Sequence, residues 1–228
     1  MKNVVLGLAL FSLLTHGVFA RDEHPISIGM MEGVGIDTQD FKAEGVGYGD
    51  LPSGPGTAKF ETVTKYLTWG IFLDTPYVEA SAFILTQAGD AKGYYSLHFS
   101  TDSSATNDMD SRLINADLRV LLKFPVVLRD FTVFPLLGSE YSHNLSANMS
   151  KLPDGTLQSD LSAILIDLGA GIDFRLTNRY YLRLKTLYGI NLKAGNTGFK
   201  DYHSTNGLTD YTASGSRLNF DLALGYKL

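Results

Sequence analysis

The chain has 228 residues, with 19 Lys and Arg against 24 Asp and Glu, a formal net charge of −5, and a composition that is 44% hydrophobic and 19% charged. That balance excludes a disordered chain and lacks the basic footprint of a nucleic-acid-binding protein. With no cysteine, disulfides and a lipoprotein anchor cysteine are excluded as well.

Met1-Lys2-Asn3 leads into an apolar run from Val4 to Leu14, and Val18 and Ala20 fit a small-residue cleavage site before Arg21. This pattern reads as a secretory signal peptide over 1–20. It leaves 21–228 as one domain with a net charge of −6. The run is too short to span a bilayer comfortably as a helix, and no later segment offers a longer one.

The first strand is expected over Ile26 to Val34, although Glu32 falls on its apolar side, and the glycine-rich stretch 35–60 reads as a long exposed loop. Tyr66 to Leu73 alternates Leu67, Trp69, Ile71 and Leu73 against Thr68, Gly70 and Phe72. Asp74-Thr75-Pro76 turns the chain into Tyr77 to Thr86, and a second polar loop covers 88–110. Arg112 to Phe124 and Phe131 to His143 form the next pair, with a short turn near 125–130 and a loop over 144–158. Leu161 to Leu176, the Thr177-Asn178-Arg179 turn and Tyr180 to Lys193 form a third pair, followed by a loop over 195–214. Ser216 to Leu228 closes the chain, with Leu218, Phe220, Leu222, Leu224, Tyr226 and Leu228 opposing Arg217, Asn219, Asp221, Ala223, Gly225 and Lys227. A period of two belongs to strands between unlike media.

Eight strands joined by three tight turns at one end and four long loops at the other predict an all-β fold, an eight-stranded antiparallel up-and-down transmembrane β-barrel. Closure leaves no strand edge unpaired in hydrocarbon. Phe124, Phe174, Tyr180 and Tyr226 are expected to form an aromatic girdle at the turn end. The inward face then holds Glu79, Asp117, Glu140, Asp167, Asp173 and Asp221 with Arg119, Lys123, Arg175, Arg183, Lys185, Lys193, Arg217 and Lys227. Glycines at 29, 70, 169, 171, 189 and 225 leave room for these long side chains. In a lumen only wide enough for side chains, the charges should pair and plug it. Ionisable groups at that depth also admit a proton or ion path, but their spread over many strands favours a polar core. A lipocalin-like barrel or a periplasmic sandwich would instead put the charges in water, without confining tight turns to one end.

The segments Asp74-Thr75-Pro76-Tyr77, Phe134-Pro135-Leu136-Leu137-Gly138, Leu168-Gly169-Ala170-Gly171 and Leu222-Ala223-Leu224-Gly225-Tyr226 resemble the small bacterial outer-membrane barrels of the OmpA, OmpX, OmpW and opacity-protein type. The resemblance implies outer-membrane localisation, extracellular loops, periplasmic termini, and outer-membrane lipids and the barrel-assembly machinery as partners. The terminal signal of such proteins usually ends in Phe, whereas this chain ends in Leu228. It also implies envelope structure or adhesin-like surface binding, with an OmpW-like, porin-like conduit for small hydrophobic molecules as the alternative.

The four expected loops carry eleven acidic and five basic residues, an acidic rim suited to cations or a basic extracellular ligand. A third reading is a barrel lipid hydrolase using Ser146, His143 and Glu140, since a serine hydrolase needs an imidazole near the hydroxyl and an acid to orient it. Their spacing supports no regular pairing, so no catalytic residue and no enzyme activity is expected. His24, His98 and His203 are scattered, so no metal or cofactor site is expected either.

Overall fold

The computed structural model of the protein describes residues 26–99, 103–109, 112–129, 131–148, 162–194 and 197–228. The expected signal peptide, His24 and most of the third long loop lie outside them. The strands are β1 (Ser27–Gly47), β2 (Gly54–Asp74), β3 (Val78–Gln87), β4 (Ala91–His98), β5 (Ser103–Met109) and β6 (Arg112–Lys123). They continue with β7 (Val126–Leu128), β8 (Phe131–Asn148), β9 (Ala163–Arg175), β10 (Tyr180–Asn191) and β11 (Asp210–Lys227), and one helix, α1 (Thr197–Thr205), precedes the last strand.

Eight antiparallel strands pair in the order β1-β2-β3-β6-β8-β9-β10-β11, and β11 returns to β1, which closes the barrel. Its stagger can be read from the pairings. Along hydrogen-bonded partners from Glu32, one direction runs through Trp69, Ile84 and Ala116 to His143 on β8. The other runs through Leu222, Leu184 and Ile172 to Val133, ten residues lower on the same strand. Eight strands with that shear tilt by about 40° and give a backbone radius of roughly 8 Å. Each residue then climbs about 2.5 Å along the axis, so the outward apolar band from Tyr180 and Tyr226 up to Ile36 and Ile190 is roughly 25 Å tall. Lys65, His143 and Ser216 mark its upper margin. Phe124, Phe174 and Tyr180 are exposed at its lower margin, and Tyr180 pairs with Tyr226 at a ring separation of 5.1 Å, as the expected girdle requires. Leu222, Ile166 and Leu184 face outward, while Asp167 and Arg183 are buried inside.

The long loops are where the sequence misleads. Residues 35–60 are mostly strand: β1 and β2 stay in register from Ser27↔Asp74 to Gly47↔Gly54. The first strand is therefore among the longest, and Glu32 does face outward. Alternation fades above the membrane because Asp40, Lys42, Lys59 and Glu61 replace apolar residues on the outer side, although the hydrogen-bond ladder continues. Residues 88–110 hold the β4–β5 hairpin, which adds to the upper part of β2. Within 195–214, where the sequence predicts a loop, α1 forms and β11 has already begun at Asp210. The turn near 125–130 contains β7, folded back on the start of β8.

The lumen-facing glycines have a more specific use than general space. Gly29, Gly70, Gly171 and Gly225 are the cross-strand partners of Phe72, Phe83, Phe134 and Tyr181, and a Cβ at each would collide with that aromatic residue. The rings of Phe72, Phe134 and Tyr181 lie back against bare backbone, which keeps the centre of the barrel free for charged groups. Gly189 alone of the six named above borders a carboxylate, that of Asp167, in the manner the sequence suggests. Gly171→Leu should displace the Phe134 ring and destabilise the barrel by about 1–3 kcal/mol, whereas Ala170→Leu, facing lipid one residue away, should leave it unchanged. The temperature at which the folded band disappears in unheated gel electrophoresis measures both.

Candidate functional site

Three guanidinium groups organise the lumen. Arg183 on β10 donates through Nε and Nη2 to Asp173 at 2.6 and 2.7 Å, through Nη1 to Glu79 at 2.5 Å, and through Nη2 to Asp74 at 2.8 Å. Arg217 on β11 reaches Glu140 at 2.6 Å, Asp117 at 2.8 Å and Asp37 at 3.1 Å. Arg119 on β6 binds Glu140 at 2.5 Å and Asp221 at 3.0 Å, with Asp167 3.7 Å away. Lys123 pairs with Asp74, and Lys185 with Glu79. The recessed aromatics carry these cations. Arg183 lies 5.0 Å from the Phe134 ring, 5.1 Å from Tyr181 and 5.4 Å from Phe72, and Arg119 lies 4.4 Å from Phe83. Each layer thus runs from glycine to ring to guanidinium to carboxylate.

Sequence reading anticipates most of this network but not all of it. Asp37 and Asp74, assigned to a loop and a turn, are buried members. Arg175 and Lys193, assigned to the interior, are exposed.

Above the membrane β1, β2, β4 and the α1 segment enclose a second, apolar core. β1 and β2 rise roughly 20–25 Å beyond the band. Their inward Phe41, Ala43, Ala58 and Phe60 meet Tyr95 and Leu97 of β4 and Phe199 and Leu208 of the α1 segment. Phe199 and His203 are four residues apart and share one face of α1, with rings 4.3 Å apart. Gly207, with φ of 93°, ends the helix in the left-handed conformation that suits glycine. Asn206 then ties the helix end to the β1–β2 turn, its Oδ1 accepting from the Asp50 amide and its carbonyl from the Tyr48 amide, both at 3.0 Å.

His203 is 2% exposed. Its Nε2 lies 3.5 Å from the Tyr95 hydroxyl, and its Nδ1 has no hydrogen-bond partner. Burial lowers its pKa to about 4 and pushes the Tyr95 phenol up to about 12. The scatter of histidines along the chain hides this one, because only the meeting of α1 with β4 buries it.

The hydrolase constellation is not assembled. Glu140 points into the lumen and is held by Arg119 and Arg217, while His143 and Ser146 are exposed and His143 stacks on Tyr141. The barrel wall separates acid from imidazole. Plain alternation from Glu140 and Ser142 turns Asn144, not His143, inward to Asn115, and the extra residue Leu145, opposite the step between Ile114 and Asn115, shifts the register so that Ser146 pairs with outward-facing Ile114. Among the described residues, no group of three or more His, Cys, Asp or Glu side chains is arranged to hold a metal ion. Outside the barrel, an apolar groove of ≈ 790 Å³ runs across β6, β3, β2, β1 and β11, past Leu118, Ala80, Ala82, Ile71, Met30 and Leu224.

A closed strand ring with a lipid-height apolar exterior and an ion-paired interior defines a transmembrane β-barrel of the bacterial outer-membrane type. No family model and no curated protein matches the sequence. Among solved structures, the chain is similar to the outer membrane protease OmpT from Escherichia coli, at 8% identity and a TM-score of 0.36, over 91% of this chain and 98% of that one. It is also similar to Ail, the attachment invasion locus protein of Yersinia pestis, at 10% identity and a TM-score of 0.33, over 86% and 97%. A third is the translocator domain of the autotransporter NalP from Neisseria meningitidis, at 9% identity and a TM-score of 0.26, over 99% and 96%. The OmpT match corrects the expectation that the chain is not an enzyme. A solved structure that the chain is similar to is named as a protease, so the exclusion of catalysis is withdrawn; at 8% identity and a TM-score of 0.36 the likeness transfers neither an activity nor a site residue.

Replacing Arg183 with Met should leave Asp74, Glu79 and Asp173 short of a buried cation and cost about 3–5 kcal/mol, read as a lower denaturant midpoint in phospholipid vesicles. For the cap, the folded state holds His203 neutral down to about 4, whereas an opened cap protonates it near 6.5. Cap stability is therefore full above pH 6.5 and falls as the pH drops toward 4. Hydrogen exchange should show residues 197–208 losing protection across that window, and His203→Phe should keep protection at both ends.

Proposed function

We propose that the protein sits in the outer membrane with its termini periplasmic, closed to free diffusion, and presents the β1–β2 extension, the β4–β5 hairpin and α1 as a folded extracellular head for surface binding. Export by the peptide at 1–20 and insertion by the barrel-assembly machinery, with the terminal strand as its signal, belong to the same reading. The supporting observation is the filling of the lumen by guanidinium-centred ion pairs at membrane depth, together with the apolar core that holds β1, β2, β4 and α1 into one folded unit above it. Such a barrel is better suited to hold a head rigidly than to pass solute. The head keeps an acidic balance: Asp40, Glu44, Asp50, Glu61, Asp90, Asp201 and Asp210 outnumber Lys42, Lys59, Lys92 and Lys200. A basic polypeptide is the ligand class it favours.

The conduit for small hydrophobic molecules has one feature on its side, the apolar groove on the outer wall, but that groove faces lipid and does not cross the membrane. In planar bilayers the purified protein should be electrically silent. Intact cells should capture fluorescent polylysine in a salt-sensitive way, and replacing 197–208 by a short Gly-Ser turn should abolish capture while the barrel stays heat-modifiable. Sustained conductance, or protein-dependent uptake of a hydrophobic solute, moves the reading to the conduit.

A further inference from the structure

Glu32 occupies an unusual place. Among the described residues it is the single acidic or basic side chain within the outward apolar band; Lys65 and His143 lie at its upper margin. With the shear and tilt given above, Ile28 on the same strand lies about as far below it as Ile36 lies above, so the carboxyl sits near the middle of the hydrocarbon. Its cross-strand partners are Trp69 and Leu222, and its same-face neighbours along the strand are Met30 and Val34. No hydrogen bond joins Glu32 to any of them, and the indole N–H of Trp69 is the one strong donor in the set, which leaves a carboxyl at that depth without a full complement of partners. Lipid tails offer nothing either, so a polar group there calls for a partner within the membrane.

We propose that the β1 face is a homodimer interface in which Glu32 of one barrel pairs with Glu32 of a second copy. The chemistry selects a second copy over another chain. A protonated carboxyl has one donor and one acceptor, so two of them satisfy each other through two hydrogen bonds related by a twofold axis, the symmetry of an isologous contact. A partner with Lys or Arg would instead bring its own exposed cation to the midplane, where basic groups are costlier than carboxyls.

The geometry agrees. Strands tilted by about 40° and related by a twofold axis along the membrane normal cross at roughly 80°, close to the orthogonal mode of sheet packing. Two convex barrels touching in this way meet closely at one crossing point. Packed sheets stand about 10 Å apart, a gap that two glutamate side chains span end to end. Met30, 73% exposed, and Trp69, 57% exposed, flank the crossing and would pack beside the carboxyl pair.

The test uses the full barrel domain folded into phospholipid vesicles, with association read by energy transfer between separately labelled chains. Wild type should dimerise. Glu32→Leu should weaken association at least tenfold while inserting at least as well, since it removes a carboxyl from lipid. Glu32→Gln, whose amide also has donor and acceptor, should retain association. Because the chain has no native cysteine, a short bifunctional thiol reagent should link Glu32→Cys chains into a dimer across a gap too wide for a direct disulfide, and should not link Leu137→Cys, outward on β8 across the barrel. An integral but monomeric wild type, or a Leu variant that associates as strongly, overturns the dimer alone. A chain recovered in buffer without detergent overturns the dimer and the membrane reading together.

Discussion

Hydrocarbon outside the barrel forces its polar side chains into a space barely wide enough for them, and the pairing of charge across that space is the constraint on which the structure depends. Three guanidinium groups meet it. Arg183 joins β10 to β2, β3 and β9; Arg217 joins β11 to β1, β6 and β8; Arg119 joins β6 to β8 and β11. Every strand of the ring is tied across the lumen by at least one of them. Hydrogen bonds between neighbouring strands fix the local ladder, whereas these spokes fix the cross-section.

The glycines follow from the same constraint. A guanidinium with three carboxylate partners fills the middle of an eight-stranded barrel, so the aromatic rings that support it must be recessed into the wall. A ring can recess only where the facing strand has no Cβ. Phe72, Phe134 and Tyr181 each face such a position, and together they surround Arg183. Aromatic, glycine and arginine positions are therefore one design spread over several strands.

Above the membrane the problem inverts. Water surrounds the extended strands, so β1 and β2 carry charges outward and turn phenylalanines inward, and α1 supplies the missing wall of the small core. The same β1 strand thus turns mostly small residues, three of them glycine, inward at bilayer depth and aromatic and alanine residues inward in the head. Glu32 is the exception to the rule on the lipid side, which makes the outer wall of β1 as informative as the lumen.

Period-two alternation alone determined the strands at bilayer depth, most of the inward charges though not Asp37 and Asp74, the girdle of Phe124, Phe174 and Tyr180, and the closed architecture, because one face must meet lipid and the other must not. It missed the upper halves of β1 and β2, the β4–β5 hairpin and α1, where both faces mix polar and apolar residues and pairing is held by the backbone ladder. Tertiary structure alone decided which carboxylate each arginine takes, since Asp37 joins Arg217 across 180 positions of sequence. It also turned Ser146 away from Glu140, which unbroken alternation along β8 would have kept on one side of the wall, because the extra residue Leu145 reverses the facing of the side chain that follows it.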